Sequence, residues 1–121
     1  MLLRLLESEF AICKVPDFSQ VDLNAAFVFL AKTDEECSIV CAADHIPANC
    51  LEAERPWRAF RIEGQLDFSL IGIIARISNT LAERGIGLFV VSTYNTDYVL
   101  VKNHQLNDTV QALKNDGYQF V

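Results

Sequence analysis

The chain has 121 residues, 16 acidic and 10 basic, so its formal charge is −6 and its pI lies near 4.7. A duplex-binding protein needs clustered Lys and Arg to release phosphate counterions; here scattered basic residues are outnumbered by acids, so nucleic acid is not an expected partner. An apolar fraction of 51% with 21% charge, five Gly and three Pro belongs to a folded chain with a substantial core rather than to a disordered one.

The chain opens on an apolar run, Met1-Leu2-Leu3-Arg4-Leu5-Leu6, which Glu7 and Glu9 cut short of the roughly 7 to 15 apolar residues of a signal peptide. The longest apolar stretches, such as residues 70–75, fall well below the roughly 20 residues a membrane span needs. No membrane partner is expected, and a cytoplasmic location is. Residues 2–6, 10–15, 27–32 and 37–42 read as strands, separated by turn-prone groups that include Pro16-Asp17 and Thr33-Asp34-Glu35-Glu36. Residues 21–26 fit one short helix, and 46–56 read as a connector.

Four cysteines (Cys13, Cys37, Cys41, Cys50) in a cytosolic chain are expected as reduced thiols. Cys37 and Cys41 bracket a β-prone run, and four residues of strand span about 13 Å, too far for a disulfide or a shared metal ion. Cys41, His45 and Cys50 could supply three ligands across the turn at Pro47, but no fourth has recognisable spacing. The favoured reading is buried small hydrophobes, with no metal and no cofactor.

The second half alternates strand and helix periods. Residues 57–63 read as a strand stopped by Gly64. Residues 69–84 carry Leu70, Ile73, Ile74, Ile77 and Leu81 at helical spacing, with Asp67 or Ser69 as N-cap and Gly85 as stop. Arg76, Asn79, Thr80 and Glu83 fall on the other side, so the helix should lie on a sheet with one face wet. Residues 86–92 and 97–102 are rich in β-branched and aromatic side chains, and the four residues between them fit a hairpin connection. Asn107 or Asp108 then opens a second helix, Gly117 ends it, and 118–121 close as a short strand. The order βαββαβ is the α+β, ferredoxin-like arrangement, with two helices on one face of a four-stranded antiparallel sheet.

Catalytic signals are weak. His45 and His104 are the two histidines, and neither stands beside a nucleophile motif. Gly85-Ile86-Gly87 lacks a third glycine and follows a helix, the reverse of a dinucleotide fingerprint. Asp67 and Asp97 as an acid and base pair would need a shifted pKa. The chain therefore reads as a non-enzyme.

Gly64-Gln65-Leu66-Asp67-Phe68-Ser69-Leu70-Ile71-Gly72-Ile73, followed by Ser92-Thr93-Tyr94-Asn95-Thr96-Asp97-Tyr98-Val99-Leu100-Val101, resembles the ACT-domain proteins of the CASTOR type. Thr33-Asp34-Glu35-Glu36-Cys37-Ser38-Ile39-Val40-Cys41 and Trp57-Arg58 resemble the first half of small bacterial proteins of that family, so the resemblance covers nearly the whole chain. It implies a tandem of two ACT-like units, a degenerate and more strand-rich one over residues 1–56 and an ACT domain over 57–121. It also implies regulation by a small molecule, usually an amino acid. By the contacts of the arginine-sensing members, Ser69, Leu70, Gly72 and Ile73 would line one side of a pocket, and Thr93 and Asp97 the other. Leu70 stands where an arginine sensor carries an acidic residue, so arginine specificity is not implied.

These residue types suit an amino acid. A helix N-terminus offers unpaired amides and partial positive charge to a carboxylate. Gly72 either lets a ligand approach the first turn or permits close helix packing. Asp97 either receives an ammonium group through a charge-assisted hydrogen bond or stabilises the hairpin as an Asx turn. Tyr94 and Tyr98 either close the pocket or cover the sheet. The rival to a ligand sensor is a ligand-free interaction module whose ACT-like sheets only mediate assembly; a regulated protein partner, if any, is not identified by the sequence.

Exposed sheet edges on small units are open to pairing, so a homodimer is expected. Light scattering at micromolar concentration should give about twice the 13.6 kDa chain mass, and a value at the chain mass would refute the expectation.

Overall fold

The computed structural model describes residues 1–64 and 72–121. They fold into seven strands, β1 (Leu2–Val15), β2 (Val28–Lys32), β3 (Cys37–Ala42), β4 (Glu52–Ile62), β5 (Phe89–Ser92), β6 (Asp97–Lys102) and β7 (Gln119–Phe120), with two α-helices, α1 (Ile73–Ala82) and α2 (Leu106–Asn115). Short 3-10 turns at Ala43–His45 and Asn103–Gln105 follow β3 and β6. The chain divides into two compact units, Met1–Glu7 with Arg58–Val121, and Ser8–Trp57. The division cuts through β1 and β4, so each of these strands contributes to both units.

The larger unit is a mainly antiparallel sheet with two helices, β7 alone pairing in parallel, with β1. Its core gathers Leu3 of β1, Phe60 and Ile62 of β4, and Val99 and Val101 of β6 against Ile73, Ile77 and Leu81 of α1 and Ala112 and Leu113 of α2. The helical period places Ile73, Ile77 and Leu81 on one stripe, all buried, while Arg76, Asn79 and Glu83 do not join them. Phe60 meets Phe120 edge to face, ring centroids 5.7 Å apart, an arrangement aromatic quadrupoles favour. Thr109 is fully buried and donates its hydroxyl to the Gln105 carbonyl at 2.8 Å, so the buried oxygen is satisfied by the residue just before its own helix.

The smaller unit is built on strand pairing. Residues 10–15 of β1 run antiparallel to β3 from Phe10 opposite Ala42 to Val15 opposite Cys37, and β3 continues the ladder to β2. Alternation puts Ala11, Cys13 and Val15 on one face with Ile39 and Cys41, where they form a second core. All four cysteines are free. Burial, then the neighbouring Cys41 and Cys50 thiols, push the Cys13 thiol up to about 12, so it is protonated at neutral pH and packs as a small hydrophobe.

Four local expectations are corrected. Residues 2–6 and 10–15 are not separate strands: β1 runs unbroken for 14 residues, because pairing along its length outweighs the low strand preference of Glu7 and Glu9. On one side it pairs with β7, then with β3. Residues 21–26 form turns rather than a helix, with the Asp22 carboxylate accepting from the Asn24 amide at 2.9 Å in an Asx turn that competes with helical bonding. The connector ends early, since β4 begins at Glu52. The closing strand is not one edge of a four-stranded sheet drawn from residues 57–121 alone: β7 pairs in parallel with β1, Leu2 opposite Gln119.

Ile77 is fully buried in the larger core, so Ile77→Ala should cost about 2–5 kcal/mol through lost transfer energy and a residual cavity. Urea denaturation measures it, as a lower midpoint at unchanged slope.

Candidate ligand-binding site

The hairpin between β5 and β6 is a local structure with a defined lock. Thr93 N–H donates to the Thr96 carbonyl at 2.8 Å, and the Thr93 hydroxyl donates to the same oxygen at 3.0 Å. Ser92 stands opposite Asp97 in the ladder, and its hydroxyl donates to the Asp97 Oδ1 at 2.5 Å. Thr96, 8% exposed, donates its hydroxyl to the Ile62 carbonyl at 2.7 Å, which fastens the turn to the end of β4. A buried hydroxyl so bonded stabilises the turn without an orphaned polar atom.

Strand alternation separates the residues of this hairpin between two faces. Asp97 has the parity of Val99 and Val101, which pack in the helix-covered core, whereas Tyr98 has the opposite parity. Asp97 therefore stands on the side of the sheet that carries α1 and α2. At the start of α1, Gly72 adopts φ 82°, a left-handed conformation that L side chains resist. A Cβ at Gly72 would meet no described atom within 4 Å, so close packing does not account for this glycine; its backbone angle does. Ile73 is 8% exposed and belongs to the core. Ser69 and Leu70 lie outside the described residues.

Thr93 lines a different feature, a cleft of about 330 Å³ whose walls also include Arg61, Glu63, Gly64, Asn95 and Tyr98. Arg61 has the parity opposite to Phe60 and Ile62 in β4, so it faces away from the helices, and Glu63, the residue after the strand's end, is held beside it. Arg61 Nε donates to Glu63 Oε1 at 3.0 Å, and Arg4 Nε of β1 donates to the same oxygen at 2.9 Å. Arg61 Nη1 reaches the Tyr98 hydroxyl at 3.3 Å, with the guanidinium carbon 6.0 Å from the Tyr98 ring centroid, at the outer limit of a cation–π contact. The Arg61 hydrogen bond, with help from Arg4, holds the Glu63 carboxyl below the usual carboxylate range. Glu63 and then Tyr98 hold Arg61 above its ordinary value.

Arg61, Glu63 and Arg4 were not singled out from sequence. The available signal is their alternation with Phe60 and Ile62, two charges on one face of a strand whose other face is apolar. Among the described residues no group of three or more His, Cys, Asp and Glu side chains is placed to hold a metal ion, and no helix is long and apolar enough to cross a membrane.

The ACT-domain family model matches residues 52–115, 64 of the 121 in the chain. The chain belongs to the ACT-domain family. Its match begins at the first residue of β4 and ends at the last of α2. The chain is 36% identical over 59 residues to the cytosolic arginine sensor for mTORC1 subunit 1 of Rattus norvegicus, a stretch that is 48% of this chain and 18% of the sensor. The chain thus spans about a fifth of that relative's length. Among solved structures it is similar to protein Atu0741 from Agrobacterium tumefaciens, with TM-score 0.87 and 31% identity over 99% of this chain and 91% of that one. A protein of unknown function from Vibrio cholerae, VC0802, shares the fold, with TM-score 0.76 and 20% identity over 98% of this chain and 88% of the other.

The depressed Glu63 carboxyl gives a pH signature. A carboxyl whose folded pKa lies below its unfolded value contributes stability above the unfolded value and loses it as pH falls through the folded one. Thermal melts from pH 7 downward should therefore fall less steeply in Glu63→Gln than in the parent below about pH 4.5, by a small margin because the pair is partly exposed. Parallel curves would show that the ion pair carries no pH-linked stability.

Proposed function

We propose that this chain is a non-catalytic regulatory module that binds a small molecule, an amino acid, and passes its occupancy to a protein partner. The observation that carries the reading is the placement of Asp97 on the helix-covered side of the sheet, the side on which α1 begins at Gly72, in an ACT-domain chain that is similar to a cytosolic arginine sensor. Amides at the start of α1 suit the ligand's carboxylate, and the Asp97 carboxylate suits its ammonium group. Ser69 and Leu70 complete the proposed contacts, the Ile73 backbone contributes an amide while its side chain stays in the core, and Thr93, which lines the cleft on the other face, is not among them. Leu70 removes the acidic contact expected for an arginine side chain, so a different amino acid is the proposed ligand.

In this reading residues 1–56 are a degenerate, strand-rich ACT-like unit and 57–121 the ACT domain, together a tandem that works as a cytoplasmic homodimer. The second reading, a ligand-free assembly module, is favoured by the Ser92 hydroxyl already seated on the Asp97 carboxylate, since a structural hydrogen bond occupies the group a ligand would use.

Equilibrium dialysis against the twenty amino acids separates the two. At least one should bind below millimolar concentration, and no binding would favour the assembly module. Asp97→Ala should then weaken that amino acid by roughly 10 to 150 fold, the loss of one charged hydrogen bond, at a stability cost of about 1 kcal/mol for the Ser92 contact. Calorimetric titration and thermal melts measure the two effects. Unchanged affinity with a collapsed melting temperature would make Asp97 a structural residue of the hairpin.

A further inference from the structure

The cleft on the other side of the sheet has a chemistry of its own. Arg4 and Arg61 converge on a single oxygen, Glu63 Oε1, at 2.9 and 3.0 Å. Two guanidiniums and one carboxylate leave a net charge of +1 in a chain whose overall charge is −6. The Arg61 and Glu63 side chains are 30% and 25% exposed, so water screens them less than it screens free surface charges. A guanidinium carries five N–H donors in a planar fork. Glu63 and the Tyr98 hydroxyl take fewer than the two arginines offer. Glu63 already displays what this pair recognises, a carboxylate held by charge-assisted hydrogen bonds.

The surroundings complete a pocket. Thr93 and Asn95 supply a hydroxyl and an amide on the hairpin side, and Gly64 leaves the wall beside Glu63 without a side chain. The volume of about 330 Å³ lies at the lower end of small-molecule sites, of order 300 to 1,000 Å³. Because Arg61 and Tyr98 face away from the helices and Asp97 faces them, this cleft is separate from the amino-acid site proposed above and stands without it.

We propose that this cleft binds a small carboxylate anion, held by the Arg61 guanidinium with Tyr98, Thr93 and Asn95 around its uncharged part, while Arg4, outside the lining, offsets the Glu63 charge from behind the wall. An acidic small metabolite is thereby the expected ligand of this cleft, chosen by charge on the face of the sheet opposite the helices.

Succinate is the probe, titrated calorimetrically into the full chain at low ionic strength, with inorganic phosphate as the competing oxyanion. Saturable succinate binding is expected, weaker by at least about 10 fold in Arg61→Met, which keeps the aliphatic stem and removes the charged donors. Lys114→Met, which removes an exposed cation from α2, should bind as the parent does. Amide NMR of the parent guards against a variant that fails to fold: succinate should shift Thr93, Asn95 and Tyr98 before the residues of α2. Absence of succinate binding, equal binding by Arg61→Met, or shifts that miss the hairpin would each overturn the site. Phosphate binding as tight as succinate would overturn its assignment to carboxylates.

Discussion

Successive residues of a β-strand point to opposite faces, and in β4 this constraint organises the larger unit. Phe60 and Ile62 turn toward the helices and are fully or almost fully buried there. Arg61, one step out of phase, is carried to the other face, where Glu63, just past the end of the strand, and Arg4 of β1 join it. A slip of one residue would bury two charges among Ile77, Leu81 and Leu113 and expose two large hydrophobes. The apolar core therefore fixes the register, and the register places the charged cleft without further cost.

The β5–β6 hairpin repeats the same division on a smaller scale. Val99 and Val101 anchor β6 in the core, so Asp97 is delivered to the helix side and Tyr98 to the cleft. The Thr96 hydroxyl on the Ile62 carbonyl ties the turn to β4. Membership of the ACT-domain family supplies the regulatory reading of the helix side. The opposite face is legible only in the side-chain chemistry of this chain.

The smaller unit serves a different purpose for its cysteines than their number suggests. Cys13 and Cys41 lie on the buried face of the β1–β3 pair, and burial raises both thiols above their ordinary range. Desolvation opposes the thiolate, so reactivity and metal binding are suppressed together. They pack with Val15 and Ile39 as side chains of similar character.

Much of the local structure was determined by sequence alone. The strands at Cys37–Ala42 and Asp97–Lys102 coincide with the predicted runs, because short β-branched segments bounded by turn residues have few alternatives. Helix α1 buries Ile73, Ile77 and Leu81 as their spacing requires, and the hairpin that carries Thr93 and Asp97 was readable from its four-residue connection. The tertiary structure decided everything that depends on a distant partner. β1 continues through Glu7 and Glu9 because neighbouring strands pair along it, and β7 chooses β1 across more than a hundred residues of sequence. No local preference encodes either choice. The meeting of Arg4, Arg61 and Glu63 was hidden for the same reason: hydrogen bonds form between atoms near in space, and 59 residues separate Arg4 from the carboxylate it shares.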